Sequence, residues 1–326
     1  MTITTSLEIR PFSPTTTDYA AIIAVDNAIW PDNPMVLDEL KHTDKHRDAN
    51  YLYQRLMMVW EGNIVGFAYY RENPYSYQPG KYRVSIQVHP DFEGRGIGTA
   101  VYEHMLTCLQ QQKHKPVLLE SGTRDTKPQA VRFLEKRGFV RVMRWLRSEL
   151  DLTQFDKTPF DALFAKLAAQ GIELVPLPHL QLTDPEWQQK IYELDWELTL
   201  DEPAPNPPTK QPFDRFVLEV LDGPSFVADA WAVAVENGRY VGMSNLEPDL
   251  GDETRFQTGF TGVARSHRRR GLATALKAKT AVYAQACGKT KILTMNEENN
   301  PMYDLNVKLG FRKLDAVLAY EKEMSE

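Results

Sequence analysis

Val88-His89-Pro90-Asp91-Phe92-Glu93-Gly94-Arg95-Gly96-Ile97-Gly98-Thr99-Ala100 and Val263-Ala264-Arg265-Ser266-His267-Arg268-Arg269-Arg270-Gly271-Leu272-Ala273-Thr274-Ala275 are two versions of one local pattern. In each, a strand-like valine stands eight residues before a glycine that opens a helix. Gly96 and Gly271 are 175 positions apart. Val65-Gly66, after the turn Glu61-Gly62-Asn63, matches Val241-Gly242 after Glu236-Asn237-Gly238, and Gly138-Phe139 matches Gly310-Phe311. Three landmarks recur in the same order with a drift of a few residues, which marks an internal duplication.

Working outward, the first unit begins with a strand at residues 7–10 and helices at 19–29 and 36–46. A hairpin follows, turning at Glu61-Gly62-Asn63 with Leu56, Met58 and Trp60 leading into Ile64 and Val65. A further strand ends at Val88, and Ile97, Val101, Met105, Leu106 and Leu109 share one helical face after Gly96. A strand at 116–119, a helix at 128–137 and two closing strands within 139–150 complete the unit. Residues 172–324 repeat this order, so the expected division is a first domain at 1–152, a connector helix at 153–171 and a second domain at 172–326. Phe160, Leu163, Phe164, Leu167 and Ala168 give the connector a face to pack, and Gly171 stops it. The run Asp201-Glu202-Pro203-Ala204-Pro205-Asn206-Pro207-Pro208 can be neither helix interior nor central strand; following Trp196 and Glu197, it reads as a lid or as a surface excursion.

A chain of 326 residues suits two domains of this size, and 42% hydrophobic with 25% charged residues is the composition of an ordinary globular protein. A net charge of −6 argues against nucleic acid or an anionic membrane as the main partner. Cys108 and Cys287 lie in helical stretches without metal-ligand spacing and are expected to be reduced core thiols, with no metal site. Residues 1–6 lack a signal-peptide pattern and no apolar run is long enough to span a bilayer, so a cytoplasmic protein is expected.

A strand end, a tight loop and a glycine-opened helix present free amides at the positive end of a helix dipole, which suits a pyrophosphate. Glycine at 96, 98 and 271 and alanine at 273 leave room for close approach. Alone, such glycines would be read as a turn; their recurrence favours a ligand. A dinucleotide fold is disfavoured because the loop falls late in each unit, and the Gly-Lys-Ser/Thr of a P-loop is missing.

With these residues in view, the chain resembles the GNAT acetyltransferase superfamily, whose fingerprint is Arg/Gln-x-x-Gly-x-Gly/Ala after the fourth strand. Arg268-x-x-Gly271-x-Ala273 fits fully; the first unit has Gly96-x-Gly98 but Glu93 in the leading position. The family's second signature resembles the stretch from Asn299 through Asn306 to Gly310-Phe311, with Asn306 where Tyr is usual; the first unit has Lys127 and Leu134 there. The resemblance covers nearly the whole chain and is similar in layout to mycothiol synthase and related two-unit acetyltransferases. It implies an α/β (α+β) fold of two tandem GNAT-like domains, each a mixed, mostly antiparallel twisted sheet flanked by helices. It also implies acetyl-CoA as acyl donor and an N-acetyltransferase that acts on a small-molecule or peptide amine, as a monomer or homodimer.

By the same resemblance the donor is held by Thr261, Gly262, Val263, Arg268, Arg269, Arg270, Gly271, Leu272, Ala273, Thr274, Asn299 and Asn306. A second site would use Val88, Glu93, Gly94, Arg95, Gly96, Ile97, Gly98 and Thr99. The three departures fall on the first unit, which makes the second the expected active one. Asn306 cannot serve as an acid, so either Tyr303, one turn earlier, or water would reprotonate the leaving thiolate, or it would leave unprotonated. Glu253 and Glu297 are candidate bases, with Glu120 the matching guess in the first unit. The cluster Arg265 to Arg270 is expected to answer the phosphates, the alternative being nucleic acid. Two rivals stay open: a catalytically silent acyl-CoA sensor, and an RNA-associated acetyltransferase.

Overall fold

The computed structural model describes residues 7–324; positions 1–6, read above as lacking a signal-peptide pattern, lie outside them. The described chain runs β1 (Leu7–Pro11), α1 (Thr16–Ile29), α2 (Leu37–His46), β2 (Tyr53–Trp60), β3 (Asn63–Arg71), β4 (Lys81–Val88), α3 (Ile97–Leu109), β5 (Leu118–Arg124), α4 (Pro128–Glu135) and β6 (Val140–Asp151). It continues with α5 (Asp161–Ala169), β7 (Ile172–Pro176), α6 (Leu177–Thr183), α7 (Trp187–Thr199), α8 (Phe213–Phe216), β8 (Trp231–Glu236), β9 (Arg239–Pro248), β10 (Arg255–Val263), α9 (Leu272–Ala286), β11 (Lys291–Glu297), α10 (Pro301–Lys308) and β12 (Arg312–Glu323). This is the expected mixed α/β architecture, duplicated.

Local chemistry explains the repeated pieces. Glu61 and Gly62 at φ 50° and 81°, and Asn237 and Gly238 at φ 51° and 76°, are consecutive left-handed pairs, the turn that matches the twist of a two-residue hairpin. They join β2 to β3 and β8 to β9, both antiparallel. The Thr15 side chain caps α1 by accepting the Asp18 amide. Pro128 and Pro301 open α4 and α10, where the missing N–H costs nothing.

Two compact units result, residues 1–142 with 318–326 and residues 143–317. In the first, β1 to β5 lie side by side in chain order, antiparallel except for parallel β4 and β5. Its helical layer buries Tyr19, Ile22, Val25 and Ile29 of α1 with Leu40, Met57 and Phe67. In the second the order is β6-β11-β10-β9-β8-β7, with β10 and β11 the parallel pair. One face of that sheet packs Trp231, Val233, Tyr240 and Met243 on Ile191, Leu194 and Leu198 of α7. The other packs Ala232, Ala234, Val241 and Val263 on Leu167 of α5 and on Leu272, Ala275 and Leu276 of α9.

The units depart from the expected boundaries at 152 and 172. From Met143 onward β6 belongs to the second unit, where Trp145 to Asp151 pair with Glu297 to Lys291, and from Leu318 the last strand belongs to the first. A period-two apolar pattern fixes which face of a strand is buried but not which sheet supplies its ladder partner. The two closing strands expected in 139–150 are one, β6, because Val140–Asp151 holds no Gly, Pro or Asn and its turn-favouring residues, Ser148 and Asp151, come only near its end. The connector helix is α5, packed inside the second unit through Leu167. Of the two thiols expected in the core, both are free, but Cys108 is half-buried and Cys287, just past the end of α9, is exposed.

Candidate functional site

Both glycine segments fold alike. After β4 a 3-10 turn, Pro90–Phe92, leads to Gly94 at φ 76° and Gly96 at φ 82°, the left-handed N-cap of α3. After β10 the turn Arg265–His267 leads to Arg269 at φ 62° and Gly271 at φ 91°, the N-cap of α9. The left-handed residues turn successive N–H groups toward one concavity, a nest at a helix mouth. Among the described residues no protein acceptor takes the amides of Gly94, Arg95, Gly96, Ile97 and Gly98, nor those of Arg269, Arg270, Gly271, Leu272, Ala273 and Thr274. Arg269 holds a conformation disfavoured without glycine, and it does so where Gly94 stands in the other copy.

Beside each mouth two parallel strands separate. β4 and β5 are in register only at Lys81↔Leu118, Tyr82↔Leu119 and Arg83↔Glu120; β10 and β11 only at Arg255↔Lys291, Phe256↔Ile292 and Gln257↔Leu293. Beyond those pairs the strands run on toward the loop without a ladder, leaving backbone groups in need of partners. The two copies then differ. In the first unit the Ser121 hydroxyl donates to the Val84 carbonyl at 3.0 Å and stitches the start of the split. In the second, the register to β9 shifts between Thr258 and Thr261, a bulge whose Phe260 amide is taken by Asn245 Oδ1 at 2.8 Å. There the buried Thr258 Oγ1 and Asn306 Oδ1 have no hydrogen-bond partner, although Asn306 Nδ2 donates to Asn296 Oδ1 on β11. Buried polar atoms are rarely left so, and two orphans on one split are what a ligand with an amide-bearing arm would satisfy.

The arginines of the second loop are already engaged. Arg265 and Arg268 both pair with Asp201, just beyond α7, and Arg268 Nε also donates to the Val263 carbonyl at 3.0 Å. Arg270 pairs with Glu236 at 3.1 Å and donates to Gln170, while His267 Nε2 lies 2.7 Å from Glu236. The guanidinium groups hold the Asp201 carboxyl below the usual carboxylate range, and His267 followed by Arg270 does the same for Glu236. The expected phosphate clamp is thus partly neutralised from within, and Arg269 is the member whose side chain makes no ion pair among the described residues. The first loop has no such acidic counterpart: Arg95 donates to the Asp91 carbonyl, Thr99 accepts from Arg137, and Glu93 stands exposed.

The other expected residues scatter. Thr261, Gly262 and Val263 do line the unladdered end of β10, with Thr261 Oγ1 2.8 Å from Ser244 Oγ. Tyr303 is half-buried in the first turn of α10. Asn299 is tied to Glu297 through its own Nδ2 and amide, both at 2.9 Å, and Asn300 rather than Asn299 caps the helix. Glu253 stands exposed before β10, at the laddered end remote from the loop, with Lys289 Nζ on its carbonyl. A base there is far from the split, since β10 advances about 3.3 Å per residue away from it. Glu120 is a buried partner of Lys81 at 3.4 Å, within the paired part of β4 and β5. Glu253 is displaced because a sequence shows that a carboxylate is near a strand but not at which end of a strand pair the ladder holds, whereas Glu120, in the last ladder pair before Ser121, stands at the start of the first split and is tied to Lys81.

Three titratable groups were not singled out. Asp195 of α7 is half-buried, and burial, then Glu202, pushes its carboxyl up to about 6. Asp26 of α1 is buried and likewise pushed up to about 6 by burial, against the pull of Arg124. A repeated signal was available, since Ile22-x-x-Val25-Asp26-x-x-Ile29 matches Ile191-x-x-Leu194-Asp195-x-x-Leu198. Lys277 lies on the buried face of α9, and burial lowers its ammonium to about 8. It lines a small cavity with Thr258, Thr280, Leu246 and Phe311, the Phe311 ring being 5.4 Å away. Among the described residues no cluster could hold a metal ion, and no helix is long and apolar enough to cross a membrane.

The sequence model described as the acetyltransferase (GNAT) family matches the chain twice, at residues 20–139 and 189–311. No curated protein matches it in sequence. Among solved structures, a GCN5-related N-acetyltransferase from Sphaerobacter thermophilus is similar with a TM-score of 0.73 at 18% identity, covering 97% of this chain and 95% of the other. A tandem GNAT protein from the clavulanic acid biosynthesis pathway gives 0.72 at 19% identity over 98% and 100%. A fungal glucosamine N-acetyltransferase region in a multi-domain β-N-acetylglucosaminidase gives 0.72 at 16% identity over 97% of this chain and 38% of that one. At these identities the likeness is one of fold, and it carries the tandem layout.

Proposed function

Because the chain belongs to the acetyltransferase (GNAT) family, we propose that its second unit transfers an acetyl group from acetyl-CoA to a primary amine of a small molecule or peptide. The observation that carries this reading is the second split: an open nest of amides at 269–274, an unladdered β10, and the orphaned Thr258 Oγ1 and Asn306 Oδ1 on its two sides. The residues fit the donor. The amides of Arg269 to Thr274 and the Arg269 side chain would hold its diphosphate, and β10 residues 259–263 would pair with its pantetheine amides. Bound acetyl-CoA supplies an activated acyl carbon, to which the amine nitrogen forms its new bond as the bond to sulfur breaks. Asn306 Oδ1 is placed to accept a hydrogen bond, and Tyr303 is the one acid of the expected pair able to give a proton. The first unit, with its stitched split and Leu134 in place of Asn306, is the degenerate copy and a weak second donor site.

Calorimetry with acetyl-CoA followed by thiol release over a panel of primary amines tests this. One binding event assigned to the second unit, with turnover of at least one amine, is expected. Tight binding with no turnover of any amine would make the protein an acyl-CoA sensor.

A further inference from the structure

The repeated aspartate on the first-layer helix points to the group that handles the acceptor proton. α7 advances alongside β10: Leu194 and Leu198 share a core with Phe260, a Cβ built on Gly262 would meet Leu198 at 2.8 Å, and Asp201 reaches Arg265 and Arg268 on the loop. Asp195 is three residues, or about 4.5 Å of helix rise, before Leu198. It therefore lies abreast of Phe260 and Thr261, the bulged stretch where β10 has lost its ladder to β11. Its carboxylate makes no hydrogen bond or ion pair among the described residues, unlike its neighbours Asp184, Glu197 and Asp201, which have cationic partners. The charged groups on α7 and on the elements packed against it are Lys190, held by Asp184 and Glu186, then Glu193, Glu197 with Arg239, Lys210 over Trp196, Asp214 and the Arg215–Glu219 pair at and after α8, and Glu247 on β9. Glu202, past the helix end, is the one whose charge acts on Asp195, and it acts to keep the proton on.

A half-buried carboxylate without a partner carries a desolvation cost that a packed helix has no structural need to bear. The same device recurs. Asp26 occupies the matching position between Val25 and Ile29 of α1, buried and also without a hydrogen bond among the described residues. From this juxtaposition, and resting on the transferase reading above, we infer that Asp195 is the base that takes the proton from the acceptor ammonium. The N–H bond breaks, its electron pair stays on nitrogen for attack, and the proton moves to an Asp195 oxygen, from which water removes it. A carboxyl that titrates near 6 is ionised at neutral pH, yet it holds a proton better than an exposed aspartate, which suits that task.

The test compares wild type with Asp195→Asn, using acetyl-CoA and a panel of an amino sugar, spermidine and a dipeptide, across pH 5 to 9. Asp195→Asn is expected to lower kcat/KM for the best amine at least 100-fold, to leave acetyl-CoA affinity within about threefold of wild type, and to remove the acidic limb of the pH profile near 6. Independently of any turnover, carbon-13 titration of aspartate carboxyls in the unliganded protein should show two midpoints near 6, one of which Asp195→Asn deletes and the other Asp26→Asn. Unchanged turnover in Asp195→Asn, loss of turnover in Asp26→Asn instead, or an Asp195 midpoint in the ordinary range would overturn the assignment. A wild-type protein that binds acetyl-CoA but acetylates no amine overturns it too, together with the transferase reading; binding without turnover is what tells that failure from the others.

Discussion

Thr274→Glu puts a carboxylate in the first turn of α9, at the mouth whose amides lack protein acceptors. Thr99→Glu does the same at α3, 175 positions earlier, and so serves as its internal control. Neither change should harm the fold. An acidic residue near a helix N-terminus stabilises the helix by roughly 0.3–1 kcal/mol, and no glycine conformation or core contact is disturbed. A diphosphate in the mouth meets the new charge: two negative charges at about 6 Å, in an effective dielectric of about 40, cost roughly 3 kcal/mol. That is about a 100-fold loss of affinity. Calorimetric titration with acetyl-CoA, alongside thermal unfolding, reads both numbers. The expected result for Thr274→Glu is a 100-fold weaker dissociation constant at an unchanged or slightly raised Tm, and for Thr99→Glu a dissociation constant near wild type. Affinity unaffected by Thr274→Glu but abolished by Thr99→Glu would refute the placement of the donor in the second unit. Affinity unaffected by both would refute a diphosphate at either mouth.

Asp201→Asn releases Arg265 and Arg268 from their shared carboxylate, and should tighten acetyl-CoA binding and steepen its salt dependence; weaker binding at low salt would show that the ion pairs position the loop rather than compete for phosphate. Asp195 is protonated more readily folded than unfolded, so its burden on stability is absent below about pH 4, grows as pH rises, and is complete above about pH 6. Asp195→Asn should therefore raise unfolding free energy at pH 7.5 by up to about 3 kcal/mol and change it little at pH 3.5, as urea denaturation at the two pH values would show; equal gains at both would refute the linkage. Gly96→Ala at φ 82° meets no atom within 4 Å and should cost only the left-handed penalty, about 1 kcal/mol. Gly271→Ala at φ 91° adds a Cβ contact of 2.8 Å to Leu163 and should cost about 2–4 kcal/mol by denaturation; equal costs would mean that α5 yields freely.

The duplication, the hairpin turns and the glycine-capped helices were legible because each depends on residues within a few positions. Asn237-Gly238 and Gly271 admit conformations that other residues resist, and they announce them in the one-letter code. The amide nest was legible for the same reason. The arginine cluster was legible as charge but not as chemistry, because Asp201 and Glu236 reach it from 64 and 34 positions away. Glu253 was misplaced because only the ladder shows at which end β10 and β11 come apart, and the engagement of Glu120 with Lys81 was equally invisible. Asp26 and Asp195 stand in a repeated apolar frame that the sequence displays, yet their significance is a matter of burial and missing partners, which no pattern records.

By itself, then, the sequence determined that this protein is two copies of one mixed sheet with a glycine-opened helix mouth, since turn stereochemistry and apolar period act over short range. Tertiary structure alone decided which unit owns β6 and the end of β12, which arginines are neutralised, and which split is left open. Those are outcomes of pairing between distant segments, where a strand's partner and a charge's counter-ion are chosen by what the rest of the chain brings within a few ångströms.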